Sequence, residues 1–91
     1  MENKKATAFT VELPCEIGTE VYAIIERHLR KCRVETYIID AGRTSTVQLS
    51  YFLTVNGKKV KKHADLYIFK FGKTWFLDYD EAQKAFLEIN H

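Results

Sequence analysis

A small, mainly β fold closed by one short C-terminal helix is the class this 91-residue sequence predicts. Three observations carry the prediction. Apolar and polar residues alternate with a period of two along several stretches, most regularly from Val47 to Val55. Asn56-Gly57 then separates two such stretches with a dipeptide that tolerates the positive φ angles of a two-residue hairpin turn. After Asp78 the period changes, and Ala82, Ala85, Phe86 and Ile89 recur on one helical stripe.

The junction between the two periods is the most ordered part of the sequence. Thr74 to Leu77 are β-branched, aromatic and apolar, which suits a half-buried strand. Asp78 is an N-cap: its carboxylate is expected to accept from the amide of Glu81 while Glu81 reaches back, with Leu77 and Ala82 placed as a hydrophobic staple. A helix over 79–89 follows.

Taken in order, residues 1–7 read as a polar, frayed tail and 8–91 as a single domain. Phe9, Val11 and Leu13 alternate with Thr10 and Glu12 as a first strand that Pro14 ends. Residues 19–32 satisfy two periods at once. Val21, Ala23 and Ile25 alternate as a strand does, yet Val21, Ile24, Ile25, His28, Leu29 and Cys32 also form a helical stripe. The β-branched and aromatic content of Val-Tyr-Ala-Ile-Ile favours the strand. Cys32–Asp40 continues with Val34, Thr36 and Ile38 on one side and Glu35, Tyr37 and Ile39 on the other, and 41–45 is a loop. The Asn-Gly hairpin pairs Val55 with Lys58, Leu53 with Val60 and Phe52 with Lys61, leaving Lys59 and Lys61 in water. His63-Ala64-Asp65 reads as a loop, and Leu66–Phe71 as a short aromatic strand or bend. Five to six short strands with one helix are the ingredients of a small SH3-like barrel, the helix plugging one end and burying Phe86 and Ile89.

Composition narrows the class further. The chain is 46% hydrophobic and 29% charged, ordinary globular values, and no apolar run reaches the length of a membrane span. A cytoplasmic protein with no membrane partner is the expectation. Cys15 and Cys32 read as two reduced thiols, and with His28 and His63 they lack any metal-ligand spacing, so no metal and no cofactor is expected. Gly72-Lys73-Thr74 imitates the end of a phosphate loop but lacks its first glycine, and it precedes a strand rather than a helix.

Leu13-Pro14-Cys15, Ile17-Gly18, Val21-Tyr22-Ala23-Ile24, Tyr51-Phe52-Leu53 and Phe71-Gly72-Lys73-Thr74-Trp75-Phe76-Leu77 with Glu81-Ala82 together resemble a group of small proteins from Gram-positive bacteria, their phages and other mobile elements. Those proteins close on a phrase like FGKTVFLT-x-x-EA-x-KAL. Here Trp75 stands for the usual valine and Asp78 for the usual threonine, and both suit the same strand and cap. The resemblance spans roughly residues 13–89. It implies the barrel and a mobile-element origin, and it implies no activity.

Charge supplies the functional expectation. Residues 1–26 carry two lysines and five glutamates, net −3; 27–73 carry eleven Lys or Arg against three acids, net +8; 74–91 return to −3. The expected site is a basic face formed by Arg27, Arg30, Lys31, Lys59, Lys61 and Lys62, with Phe52, and also Tyr37, placed to stack on bases. Asp78, Asp80 and Glu81 serve the helix dipole rather than catalysis, and no nucleophile sits in a triad context. The reading is a non-enzymatic binding module for nucleic acid or a nucleoprotein. The alternative is a mobile-element inhibitor of a host defence protein, anti-CRISPR-like, whose partner is a nucleic-acid-binding host protein.

Overall fold

The computed structural model describes residues 12–40 and 45–89. Five strands, β1 (Glu20–Ile25), β2 (His28–Ile38), β3 (Thr46–Val55), β4 (Lys58–Tyr67) and β5 (Trp75–Phe76), are followed by helix α1 (Tyr79–Ile89). They form one antiparallel sheet in the order β4-β3-β2-β1-β5. The first four strands are a meander, and β5 returns to lie against the free edge of β1.

Which face becomes the core follows from the register. Val21 lies opposite Cys32, Ala23 opposite Trp75, and Val34 opposite Leu49 and through it Ala64, so these residues project from the same side. That side holds the buried cluster of Val21, Ala23, Ile25, Cys32, Val34, Val47, Leu49, Tyr51 and Trp75. The helix packs on the other side. Its Tyr79 ring meets Tyr22 edge to face at 5.3 Å, beside the buried Phe76 that pairs with Tyr22. With α1 on the outer face, the sheet covers its inner face by curling. Trp75, fully buried, joins the two edges of that curl by donating its indole N–H to the Tyr67 carbonyl at the end of β4, 3.1 Å away.

The expected barrel is not closed. β4 and β5 are the two edges of the sheet order, and the Trp75 side chain rather than a backbone ladder spans them among the described residues. The helix does not plug an end as expected either: Ala82 is its one buried residue, Phe86 is half-buried and Ile89 is 56% exposed. The helix itself starts where its cap predicts, with the Glu81 amide donating to Asp78 Oδ2 at 3.1 Å.

Residues 19–32 are a hairpin and contain no helix. The turn was hidden because Glu26 and Arg27 occupy its two positive-φ positions, at 52° and 67°, where asparagine and glycine are the usual residues. The Asn56-Gly57 turn has the same geometry, with φ of 53° and 78°, and its three anticipated pairs all form. The structure departs from two expectations. A bulge at Glu35 shifts the β2 register between Val34 and Thr36, so Val34 and Tyr37 both face inward instead of lying on opposite sides. His63–Asp65 is strand rather than loop, because β4 keeps pairing with β3 as far as Tyr67 opposite Thr46, with Ala64 and Leu66 turned to the core. At β5 only Trp75 and Phe76 pair as strand. Of the expected first strand, residues 9–11 lie outside the described residues, as do the 1–7 tail and most of the 41–45 loop, while Leu13 is irregular and 44% exposed.

Two outcomes are expected. Trp75→Ala removes both the largest core side chain and the edge-to-edge bond, and it should cost about 3–5 kcal/mol in urea unfolding. Replacing Glu26-Arg27 by Asn-Gly should relieve about 1 kcal/mol or more of left-handed backbone strain and raise the melting temperature.

Candidate nucleic-acid interface

β2 is shared between two partners in succession. It pairs with β1 over His28–Arg33 and with β3 over Arg33–Ile38. Beyond Ser50, β3 stays paired with β4 but has parted from β2, so the far half of the β3–β4 hairpin diverges as an arm. An open groove of about 750 Å³ lies at the fork, bordered by Ile17, Gly18 and Glu20, by Lys31–Glu35 and by Ser50, Tyr51, Phe52, Lys59 and Lys61 of the arm. Gly18, at φ 94°, allows the chain before β1 to fold tightly here: its amide donates to the Val34 carbonyl at 2.8 Å.

Strand parity decides which of the expected residues reach this groove. Lys31, Phe52, Lys59 and Lys61 line it, all on the face away from the core. Phe52 is 55% exposed, pairs directly with Lys61, and has the Lys59 ammonium 5.2 Å from its ring centre. Arg30 and Lys62 belong to the opposite face. Arg30 lies across from Ala23 with its guanidinium 5.2 Å from the Tyr51 ring, and Lys62 pairs with Tyr51. Arg27 stands at the exposed tip of the β1–β2 hairpin. The expected basic face is therefore divided, and four of its seven residues share the groove. Arg33 joins them; counting by twos from Lys31 would have found it.

Tyr37 does not serve as a stacking group. Facing inward beyond the bulge, it donates its hydroxyl to the Cys15 carbonyl at 2.6 Å, and burial followed by the neighbouring Cys15 raises its phenol above the ordinary range. Both cysteines are free thiols, and burial pushes Cys32 up to about 12, which keeps it protonated and unreactive at neutral pH. Among the described residues no group of three His, Cys, Asp or Glu side chains is placed to hold a metal, and no helix is long and apolar enough to cross a membrane.

The groove also contains acids. Lys31 meets Glu20 at 3.5 Å in a well-exposed pair of small energetic weight. Glu35 is held more firmly. Next to the inward Val34 it points to the groove side, where its Oε2 accepts from Ser50 Oγ at 2.5 Å and lies 3.5 Å from Lys61 Nζ. Ser50 is buried and donates along the strand-to-strand gap, so the carboxylate has a defined position. The Ser50 hydrogen bond, with Lys61 adding to it and desolvation opposing, holds the Glu35 carboxyl below the usual carboxylate range. It is ionised at neutral pH.

A lowered folded-state value makes Glu35 stabilising above the unfolded carboxylate value, and that contribution is lost as pH falls through the folded one. Urea unfolding measured from pH 7 down to pH 3 should therefore show a shallower acid loss in Glu35→Gln than in the parent chain. Equal slopes would mean that the Ser50–Glu35–Lys61 contacts add nothing in solution.

Comparison with family models, with curated proteins and with solved structures gave no match to this chain.

Proposed function

We propose that the chain is a non-enzymatic binding module whose forked groove takes a single strand of nucleic acid. The observation that carries this reading is the placement of Phe52: an exposed aromatic ring on the groove face, with Lys59 against it and Lys61 directly across the ladder. Bases offer flat π-faces to an aromatic platform, and the flanking ammonium groups meet the phosphates on either side. Lys31 and Arg33 extend the same cationic track to the β2 side of the fork. A duplex would have to bury its bases against each other and so leaves Phe52 without a partner.

The resemblance to small proteins of phages and mobile elements sets the proposal in that context. A module of this kind acts either on nucleic acid directly or, in the inhibitor reading, by occupying the surface with which a host protein reads nucleic acid. Phe52 and its lysines favour the first.

The test is fluorescence anisotropy with a labelled thymidine 12-mer. If Lys31, Arg33, Lys59 and Lys61 each neutralise a phosphate, raising salt from about 50 to about 200 mM should weaken binding by roughly fiftyfold. Phe52→Ala should lose about 1–3 kcal/mol, the worth of one stacked base. Lys61→Ala should weaken binding and flatten the salt dependence, whereas Lys62→Ala, on the other face, should do little. Absence of binding at low salt, or equal losses from Lys61→Ala and Lys62→Ala, overturns the proposal.

A further inference from the structure

A carboxylate fixed inside a groove for polyanions needs a reason. Against a phosphate chain Glu35 is repulsive, and it also occupies Lys61. The repulsion is offset only if the carboxylate meets hydrogen-bond donors of the ligand, and in a single strand of DNA, which lacks the ribose 2′-hydroxyl, those donors are on the bases. Resting on the strand reading above, we infer that Glu35 reads the base stacked on Phe52 and that the groove prefers guanine there.

The geometry points to this base. Phe52 and Ser50 are two residues apart on one strand and project from the same face, which separates them by about 7 Å. Ser50 holds Oε2 of Glu35, and Lys61, which pairs with Phe52, approaches the same oxygen. A base lying on Phe52 with its pairing edge turned along β3 therefore points at Glu35. An ionised carboxylate offers about four acceptor positions, and Ser50 and Lys61 both take Oε2, so the two on Oε1 remain. Two adjacent N–H donors satisfy the remainder. Guanine carries that pair on its pairing edge, at N1 and N2. Adenine and cytosine place a ring-nitrogen acceptor beside their single amino group, and thymine flanks its one N–H with two carbonyls, so each sets a lone pair against the carboxylate. The hydrogen bond from Ser50 keeps Glu35 ionised, hence purely an acceptor, and fixes where it points.

The experiment compares four labelled DNA nonamers, all thymidine except for a central dG, dA, dC or dT, at low salt. The dG nonamer should bind roughly five- to tenfold more tightly than the other three, the scale of one good bidentate base contact. Glu35→Gln should change two things in opposite directions: every nonamer binds more tightly, because a repulsive charge is gone and Lys61 is released, while the guanine preference disappears. Ser50→Ala keeps the charge but loses its anchor, so the preference should shrink without general tightening; its small size leaves the fold intact, which circular dichroism checks. Binding of all four nonamers with equal affinity, or a guanine preference that survives Glu35→Gln, overturns this inference and leaves the strand reading standing. Failure of every nonamer to bind overturns both.

Discussion

A strand can hydrogen-bond on two edges, and β2 uses them over different halves of its length, β1 on one side up to Arg33 and β3 on the other from Arg33 onward. This handover is the constraint from which the remaining architecture follows. A sheet whose central strand changes partner midway cannot stay flat, and its curvature folds the inner face over its own apolar side chains, leaving α1 to cover part of the outside. Trp75 holds the curl from the edge by filling the core and bonding the Tyr67 carbonyl. The same handover releases the far half of the β3–β4 hairpin from β2 and so opens the fork. Core and groove are two results of one pairing pattern.

Parity along the strands then sorts the charges. In the run Lys58 to Lys62, Lys59 and Lys61 fall on the groove face and Lys58 and Lys62 on the face of the core, with Val60 between them. The run Arg30, Lys31, Arg33 divides in the same way. Clusters that are dense along the chain are thus diluted in space, and the basic track that remains is narrower than its lysine count implies. It also carries Glu20 and Glu35, so its field is not uniformly positive. A narrow track with an aromatic platform and an anchored acceptor is suited to one strand and one base, rather than to the general attraction that a broad basic surface exerts.

Glu35 links the fold to the proposed base preference. Without the bulge the alternation of β2 would carry past Val34 unbroken, and Tyr37 would stand on the groove side, where sequence reading placed it. Glu35, next to the inward Val34, faces the groove either way; the extra residue returns Tyr37 to the interior, where its hydroxyl ties β2 to Cys15. One inserted position therefore removes an aromatic side chain from the groove face and leaves the carboxylate there.

Sequence by itself determined the elements whose cause is local. The Asn56-Gly57 hairpin and its register, the β1 strand, the Asp78 cap and the extent of α1 were all legible, because turn conformation, alternation and capping depend on residues within a few positions of each other. Tertiary structure alone decided what depends on distant partners. The Glu26-Arg27 turn is imposed by six cross-strand pairs against the preference of its own residues. β4 runs through His63–Asp65 because β3 lies alongside to receive it, and the sheet stays open because β4 and β5 do not pair as strands among the described residues. The division of the cations between two faces was written in their odd and even spacing, but it became readable only once pairing had set each strand's register, since alternation says which residues share a face and not which face meets water.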